Sequence, residues 1–197
     1  EFLDLLRRGG AKGLLSHLQA AGRPYWGSVP MAIERLEAAR RDGIDVSFDM
    51  YPYPAGSSTI LQLLPPSAQA GGIDALIGRL AQDEQREALR RAVETGVAPD
   101  DPGWESKIRL IGWENVRIGG VDDDALRSLE GRSLAAIAAD RGLSPFDTVV
   151  WLIREDLGRT NIVMFQLDET DLRTPITHPL HMMGSDSLPR ETGKPHP

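Results

Sequence analysis

The stretch His181-Met-Met-Gly-Ser-Asp-Ser187, close to the end of the chain, sets the interpretation of the whole sequence. Its apolar beginning predicts a short buried strand, and Gly184 and Ser185 predict a tight turn directly after it. That turn carries one carboxylate, Asp186. Because α/β barrels keep their chemistry at the carboxyl ends of their strands, we expect Asp186 to be functional. The best candidate for its partner is His17, near the other end of the chain.

The composition is that of an ordinary globular protein, with 41% hydrophobic and 26% charged residues among 197. The net charge is −7 and the two signs are interleaved, which disfavours binding to nucleic acid or to an acidic membrane, since either would need a basic stripe. The sequence has no cysteine, which fits a reducing compartment, and we expect a cytoplasmic protein. It shows no signal peptide and no initiator methionine, and we expect a segment of a longer protein.

The first part of the chain alternates between helices and strands. An amphipathic helix over 1–8 stops at two glycines, and a brief apolar run over 11–17 predicts a strand that ends at His17. A second helix is predicted over 31–42 and a second strand over 44–50, which Tyr51 and a Pro-rich loop follow. This order predicts parallel βα units.

The middle of the chain, 59–120, interrupts that alternation. It predicts a long charged helix over 73–94 and two short strands at 108–111 and 116–119. We interpret 59–120 as an insertion or lid, because such segments at strand ends often cover a substrate.

Regular units resume over 121–197. Ser133 and Ser144 are predicted N-caps of two helices, and 161–166 predicts a further strand. With 1–58 as the first two βα units and 121–197 as the last two, the chain offers four barrel-type strands, ending near His17, Met50, Gln166 and Asp186.

Two of those strand ends carry residues suited to metal-assisted hydrolysis. A neutral imidazole binds a divalent metal, and a nearby carboxylate can bind the metal or accept a proton from water. Other interpretations stay open: a lone histidine at a strand end is more often structural, and a lone aspartate in a turn usually makes a local hydrogen bond. A catalytic zinc also takes about three protein ligands, and His17 and Asp186 are only two side chains.

A set of short motifs in a fixed order gives the sequence its clearest family resemblance. The motifs are Ser16-His-Leu-Gln-Ala-Ala-Gly22, Asp49-Met-Tyr-Pro-Tyr53, Ala55-Gly-Ser-Ser-Thr59, Leu129-Glu-Gly-Arg-Ser-Leu-Ala-Ala-Ile-Ala138, Ser144-Pro-Phe-Asp-Thr148, Gly184-Ser-Asp186 and Pro195-His-Pro197. Together they resemble the C-terminal half of the catalytic barrel in the D-aminoacylases (N-acyl-D-amino-acid deacylases), a family of the amidohydrolase superfamily.

The resemblance implies strands five to eight of a (β/α)8 barrel, with Zn²⁺ as cofactor and a small N-acyl-D-amino acid as substrate. His17 corresponds to a zinc ligand at the end of the fifth strand. Asp186 corresponds to the aspartate that acts as general base toward the zinc-bound water and then protonates the leaving amine. Tyr51, Ser57 and Ser58 lie where the family binds the substrate carboxylate.

The chain also departs from the family pattern. Gln19 stands where the family usually has a lysine, and the family normally has an arginine after Pro-His-Pro, whereas the sequence given stops at Pro197. In the family, the other metal ligands lie on the first four strands of the barrel, which this sequence does not include, so we expect the isolated chain to be inactive and to bind little zinc. The alternatives are a non-catalytic half barrel that self-associates through its exposed strand edges or binds a partner, and an amidohydrolase for a different amide or ring substrate.

Overall fold

The computed structural model describes residues 1–187. The strands are β1 (Gly13–Leu15), β2 (Val46–Met50), β3 (Ala55–Thr59), β4 (Val116–Gly120), β5 (Asn161–Phe165) and β6 (His181–Met183). The helices are α1 (Phe2–Gly9), α2 (Val29–Arg41), α3 (Gly72–Leu80), α4 (Asp83–Thr95), α5 (Lys107–Ile111), α6 (Leu134–Arg141), α7 (Pro145–Glu155) and α8 (Glu169–Ile176). The chain divides into two compact units, the first formed by Glu1–Pro54 with the described residues from Leu167 onward, and the second by Ala55–Gln166.

A parallel sheet in the order β1-β2-β6 lies at the centre of the first unit. Strand β2 is the middle strand, and Phe48 pairs with Leu15 of β1 on one side and with His181 of β6 on the other. Because all three strands run in the same direction, their carboxyl ends meet at one edge of the sheet. Residues that directly follow β1, β2 and β6 are therefore neighbours.

The alternation of β2 decides which face of this sheet is covered. Val46, Phe48 and Met50 are fully buried, whereas Ser47 and Asp49 between them are partly exposed. Val46 and Phe48 pack in one cluster with the apolar stripe of α2, which includes Ile33 and Leu36. Each such side chain contributes about 1.5–3 kcal/mol when fully buried. The face that carries Asp49 is left for polar contacts.

The second unit has its own antiparallel sheet, in the order β3-β5-β4. Ile162 on β5 and Ile118 on β4 pack in one large cluster with Phe146 of α7. Both serines predicted to cap helices do so: the Ser144 hydroxyl accepts the Asp147 N–H at 3.0 Å, and the Ser133 hydroxyl accepts an N–H of α6. Local capping chemistry therefore fixes the starts of these helices.

The prediction that 161–166 forms a barrel strand is wrong. This segment is β5, which pairs antiparallel with β3 and β4 in the second unit. The parallel sheet consequently has three strands within the described residues, and β6 lies directly beside β2. If β6 is the eighth strand of a barrel, β1 and β2 occupy the sixth and seventh places, rather than the fifth and sixth that the resemblance implied.

The predicted insertion also differs from what the structure shows. The sequence predicts an insertion over 59–120, whereas the second unit runs from Ala55 to Gln166. The predicted strand at 108–111 is helix α5, which Ser106 caps by accepting the Arg109 N–H. The helix predicted over 73–94 is two helices, α3 and α4, separated by an extended residue at Gln82.

Candidate active site

His17 and Asp186 share an uncommon backbone conformation. Each lies shortly beyond the end of a strand, His17 two residues after β1 and Asp186 three residues after β6. Each is in the left-handed region, with φ of 56° and 52° respectively. Residues other than glycine seldom adopt this conformation, and such strained residues cluster at functional sites. Leu157, outside this site, shares the conformation, so the roles of His17 and Asp186 stay predictions.

The two side chains face each other at the carboxyl edge of the parallel sheet. The His17 Nε2 atom lies 3.5 Å from Asp186 Oδ1, and the side chains are 46% and 43% exposed. The contact is an ion pair only when the imidazole is protonated, and in solvent such a pair contributes little to stability. The imidazole and the carboxylate are therefore both accessible to a ligand.

Tyr51 forms one side of this site. Its ring meets the His17 ring edge-on, with the centroids 5.4 Å apart, and it stacks on Tyr53 at 5.8 Å. Tyr51 is buried and packs with Met50 and Leu167 in a small cluster. The structure brings together Tyr51, His17 and Asp186, and the prediction that Tyr51 binds substrate stays a prediction.

The two serines predicted to bind substrate belong to the second unit. Ser57 and Ser58 are on β3, in the second unit, where they pair with Val163 and Ile162 of β5. The Ser57 hydroxyl donates a hydrogen bond to Asn161 Oδ1 at 3.1 Å. Their predicted role in binding substrate remains a prediction.

Asp49, on the central strand β2, is a site residue whose role the sequence does not predict. Its Oδ1 atom accepts the His17 backbone N–H at 2.8 Å and the Ser16 hydroxyl at 3.0 Å. The signal that could have found it is the alternation of β2, since a carboxylate between two fully buried residues faces the side of the sheet away from the helix core.

Comparisons with known proteins identify sequence relatives over almost the whole chain. The N-acyl-D-glutamate deacylase of Alcaligenes xylosoxydans xylosoxydans is 29% identical over 197 residues, covering 100% of this chain and 30% of its own length. A D-aminoacylase of the same organism is 27% identical over 184 residues, covering 93% of this chain and 27% of its own length. The resemblance to the D-aminoacylase family is confirmed. No protein-family model matches the chain.

A solved deacylase structure shares the fold. The crystal structure of N-acyl-D-glutamate deacylase from Bordetella bronchiseptica, complexed with zinc and a phosphonate inhibitor, matches with a TM-score of 0.59 at 22% identity. The match covers 93% of this chain and 28% of that chain. The chain thus shares an α/β fold with part of that deacylase, and it spans less than a third of the length of the relatives it matches.

Residues 1–187 do not supply a complete set of ligands for a metal ion. No group of three or more His, Cys, Asp or Glu side chains that could hold a metal occurs there. His17 and Asp186 offer one imidazole nitrogen and one carboxylate, whereas a catalytic zinc takes about three protein ligands. The described residues by themselves therefore do not make the zinc site that a deacylase of this family would need.

Two further histidines lie near the amino end of β6. Both ring nitrogens of His178 are engaged, because Nδ1 accepts the Leu180 N–H at 3.2 Å and Nε2 lies 3.1 Å from Glu37 Oε1. The His181 ring packs 5.8 Å from the Phe48 ring on the covered face of the sheet. Both rings thus make contacts within the first unit.

Two parts of the chain concern the family pattern, Gln19 and the Pro195-His-Pro197 motif. The amide nitrogen of Gln19, which stands where the family usually has a lysine, is buried without a hydrogen-bond partner among the described residues. The Pro195-His-Pro197 motif lies outside the described residues.

Across 1–187, every helix is too short or too polar to cross a membrane.

Proposed function

We propose that this chain supplies part of the catalytic barrel of a zinc-dependent amidohydrolase that cleaves the amide bond of N-acyl-D-amino acids. The observation that supports the proposal is the 3.5 Å approach of His17 Nε2 to Asp186 Oδ1 at the carboxyl edge of a parallel sheet. Both residues stand in motifs that resemble the D-aminoacylases, and sequence relatives of that kind cover 93% to 100% of the chain.

His17 would be one of the metal ligands. Its side chain is 46% exposed, and the carboxylate 3.5 Å from Nε2 favours a cation there. Zinc, when bound, supplies Lewis-acid polarisation of the substrate carbonyl and makes water more acidic. The remaining ligands would have to come from residues other than those described.

Asp186 would move the proton. Its carboxylate accepts a proton as water attacks the amide carbon, and then donates that proton to the nitrogen as the C–N bond breaks. The products are a carboxylate and the free D-amino acid, so the proton, which starts on the water, finishes on the amine. Asp186 suits this task because its side chain is 43% exposed and therefore accessible to water and substrate.

Activity of the full-length gene product tests the proposal. We expect zinc-dependent hydrolysis of N-acyl-D-amino acids, with D186N lowering kcat about 10²–10⁴-fold, the usual contribution of a general base. H17Q should weaken zinc binding, and D42N, at an exposed carboxylate beyond α2, should leave kcat unchanged. Full activity in D186N with zinc bound would contradict the assigned role of Asp186.

The isolated chain of 197 residues gives a separate test. We expect no release of free D-amino acid when it is mixed with zinc and an N-acyl-D-glutamate, because the described residues hold too few ligands for a catalytic zinc. Turnover by the purified chain would overturn this part of the proposal.

A second candidate function is a non-catalytic module that self-associates. The observation that favours it is the sheet edge: within the described residues β1 and β6 each pair only with β2, which leaves one side of each strand open. Leu14 on β1 and Met182 on β6 are also 48% and 46% exposed. Light scattering, which measures the mass of the assembly, separates the two candidates when zinc uptake is measured beside it. A concentration-dependent dimer that takes up no zinc would favour this module.

A further inference from the structure

We infer that Asp49 is the positioning residue of this site: its carboxylate holds the backbone of His17 so that the imidazole faces Asp186. The consequence for catalysis rests on the proposed function. The geometry itself rests on hydrogen bonds that the structure shows, and it can be tested without metal or substrate.

The two hydrogen bonds that surround His17 both end on Asp49. The side-chain Oδ1 accepts the His17 N–H at 2.8 Å, and the backbone carbonyl of Asp49 accepts the Leu18 N–H at 2.9 Å. The peptide groups before and after the His17 α-carbon are thus both anchored to one residue of β2. This double anchor accounts for a histidine kept at φ of 56°, since a non-glycine residue keeps such a conformation only where its surroundings impose it.

The same carboxylate also fixes the residue before the histidine. The Ser16 hydroxyl lies 3.0 Å from Oδ1 and 3.1 Å from Oδ2 of Asp49. A carboxylate only accepts hydrogen bonds, so its oxygens suit this pair of donors. Hydrogen bonds to a charged acceptor are roughly twice as strong as neutral ones, which favours a rigid turn at the end of β1.

Asp49 also lies against the turn that carries Asp186. A Cβ built on Gly184 would be 3.7 Å from the Asp49 Cγ atom, an ordinary contact, and the Gly184 N–H donates to the Met50 carbonyl at 3.1 Å. The end of β2 therefore touches both turns of the site. A change at Asp49 should act first on His17, because only the histidine turn is hydrogen-bonded to its side chain among the contacts of the described residues.

Solution NMR of the full chain tests this inference through the His17–Tyr51 ring contact. The ring centroids are 5.4 Å apart, so wild type should show a nuclear Overhauser effect between the two rings. We expect D49A to lose it and D49N to keep it, because the Asn oxygen still accepts the His17 N–H. S16A, which removes only the hydroxyl, should also keep it. The contact of His181 with Phe48 is the internal control for folding.

An intact His17–Tyr51 contact in D49A would overturn the inference. If D49A also loses the His181–Phe48 contact, the variant has unfolded, and D49E then decides: it keeps the charge but moves it outward by one methylene. We expect D49E to alter the His17–Tyr51 contact while retaining the control contact, and an unchanged His17 ring would overturn the inference.

These outcomes are independent of the proposed function. A deacylase that fails to show activity leaves the NMR result standing, and an unmoved His17 ring leaves the deacylase proposal standing. In the active full-length protein, D49A should lower kcat by about 100-fold, the usual effect of misplacing a group by about 1 Å, with a smaller change in KM.

Discussion

The left-handed backbone at His17 makes a prediction whose sign is unusual. At most positions alanine is a better replacement than glycine, because glycine gains more freedom in the unfolded chain. At φ of 56° the order should reverse, so that H17G is more stable than H17A. Both variants lose the imidazole and its contact with Tyr51, and these losses cancel when the two are compared.

The magnitude follows from two opposing effects. An L-residue in the left-handed region costs about 1–2 kcal/mol, which glycine avoids. Glycine loses about 0.5–1 kcal/mol more conformational free energy on folding than alanine. The difference leaves H17G more stable than H17A by about 0.5–1 kcal/mol. Asp186, at φ of 52°, should show the same order.

Urea unfolding followed by circular dichroism measures the difference. Leu157 is the matched control, because its φ is 50° and it lies outside the candidate site. The free energy of unfolding of L157G should likewise be higher than that of L157A. A139G, at an exposed position of α6, should show the ordinary order and lose about 1 kcal/mol. If H17A were as stable as H17G while the Leu157 pair behaved as expected, residue 17 would not be left-handed. The conclusion that the His17 and Asp186 side chains face each other would then also be refuted.

Two further predictions concern charges away from the site. Asp156 is 2% exposed and accepts the Asp123 N–H at 2.9 Å and the Thr160 hydroxyl at 2.7 Å, so D156A should cost about 3 kcal/mol in urea unfolding because buried donors lose their acceptor, whereas T160V should cost about 1 kcal/mol. The Lys12 ammonium lowers the pKa of Asp45 from 3.8, so the stabilisation by Asp45 is present above that pH and is lost as the pH falls through the lowered folded-state pKa. Acid unfolding of D45N should accordingly depend less on pH below about 3.8 than that of wild type, and equal slopes would contradict the ion pair.

The sequence predicts the elements whose signals are local. The helix predicted over 31–42 is α2, Val29–Arg41, and the strand predicted over 44–50 is β2, Val46–Met50. Both have regular apolar periodicity and clear stops, and periodicity is the strongest signal that a sequence carries. The caps at Ser133 and Ser144 are also confirmed, because capping depends on only a few neighbouring residues.

The partners of a strand are harder to predict. The apolar run at 161–166 shows that a strand exists, but not whether its neighbours are parallel or antiparallel, and its true partners β3 and β4 are distant in sequence. The short run at 108–111 is ambiguous for the same reason, since a few apolar residues fit a strand or one helical turn. Its helical state depends on the Ser106 cap and on contacts with α4.

The candidate site likewise has features that the sequence predicts and features that it does not. The sequence predicts His17 and Asp186 because strand ends and family motifs select them. It does not predict their left-handed backbone, since neither is glycine and no turn signal is specific for it. The sequence places Asp49 in a family motif but does not predict its role, because its partners Ser16 and His17 are more than thirty positions away in the chain.

The geometry of the sheet explains why the backbone must turn at both strand ends. β1 and β6 do not touch each other, since each pairs with β2 between them. Neighbouring strands lie about 4.8 Å apart, so the strands that carry His17 and Asp186 are about 9–10 Å apart. Their side chains nonetheless approach to 3.5 Å, and they do so across the end of β2. A left-handed residue two or three positions beyond each strand end breaks the regular alternation and lets both side chains turn toward this gap. The end of β2 lies beneath both turns, so a shift of β2 would move the histidine and the carboxylate together, which makes Asp49 the position where a small change should alter the site most.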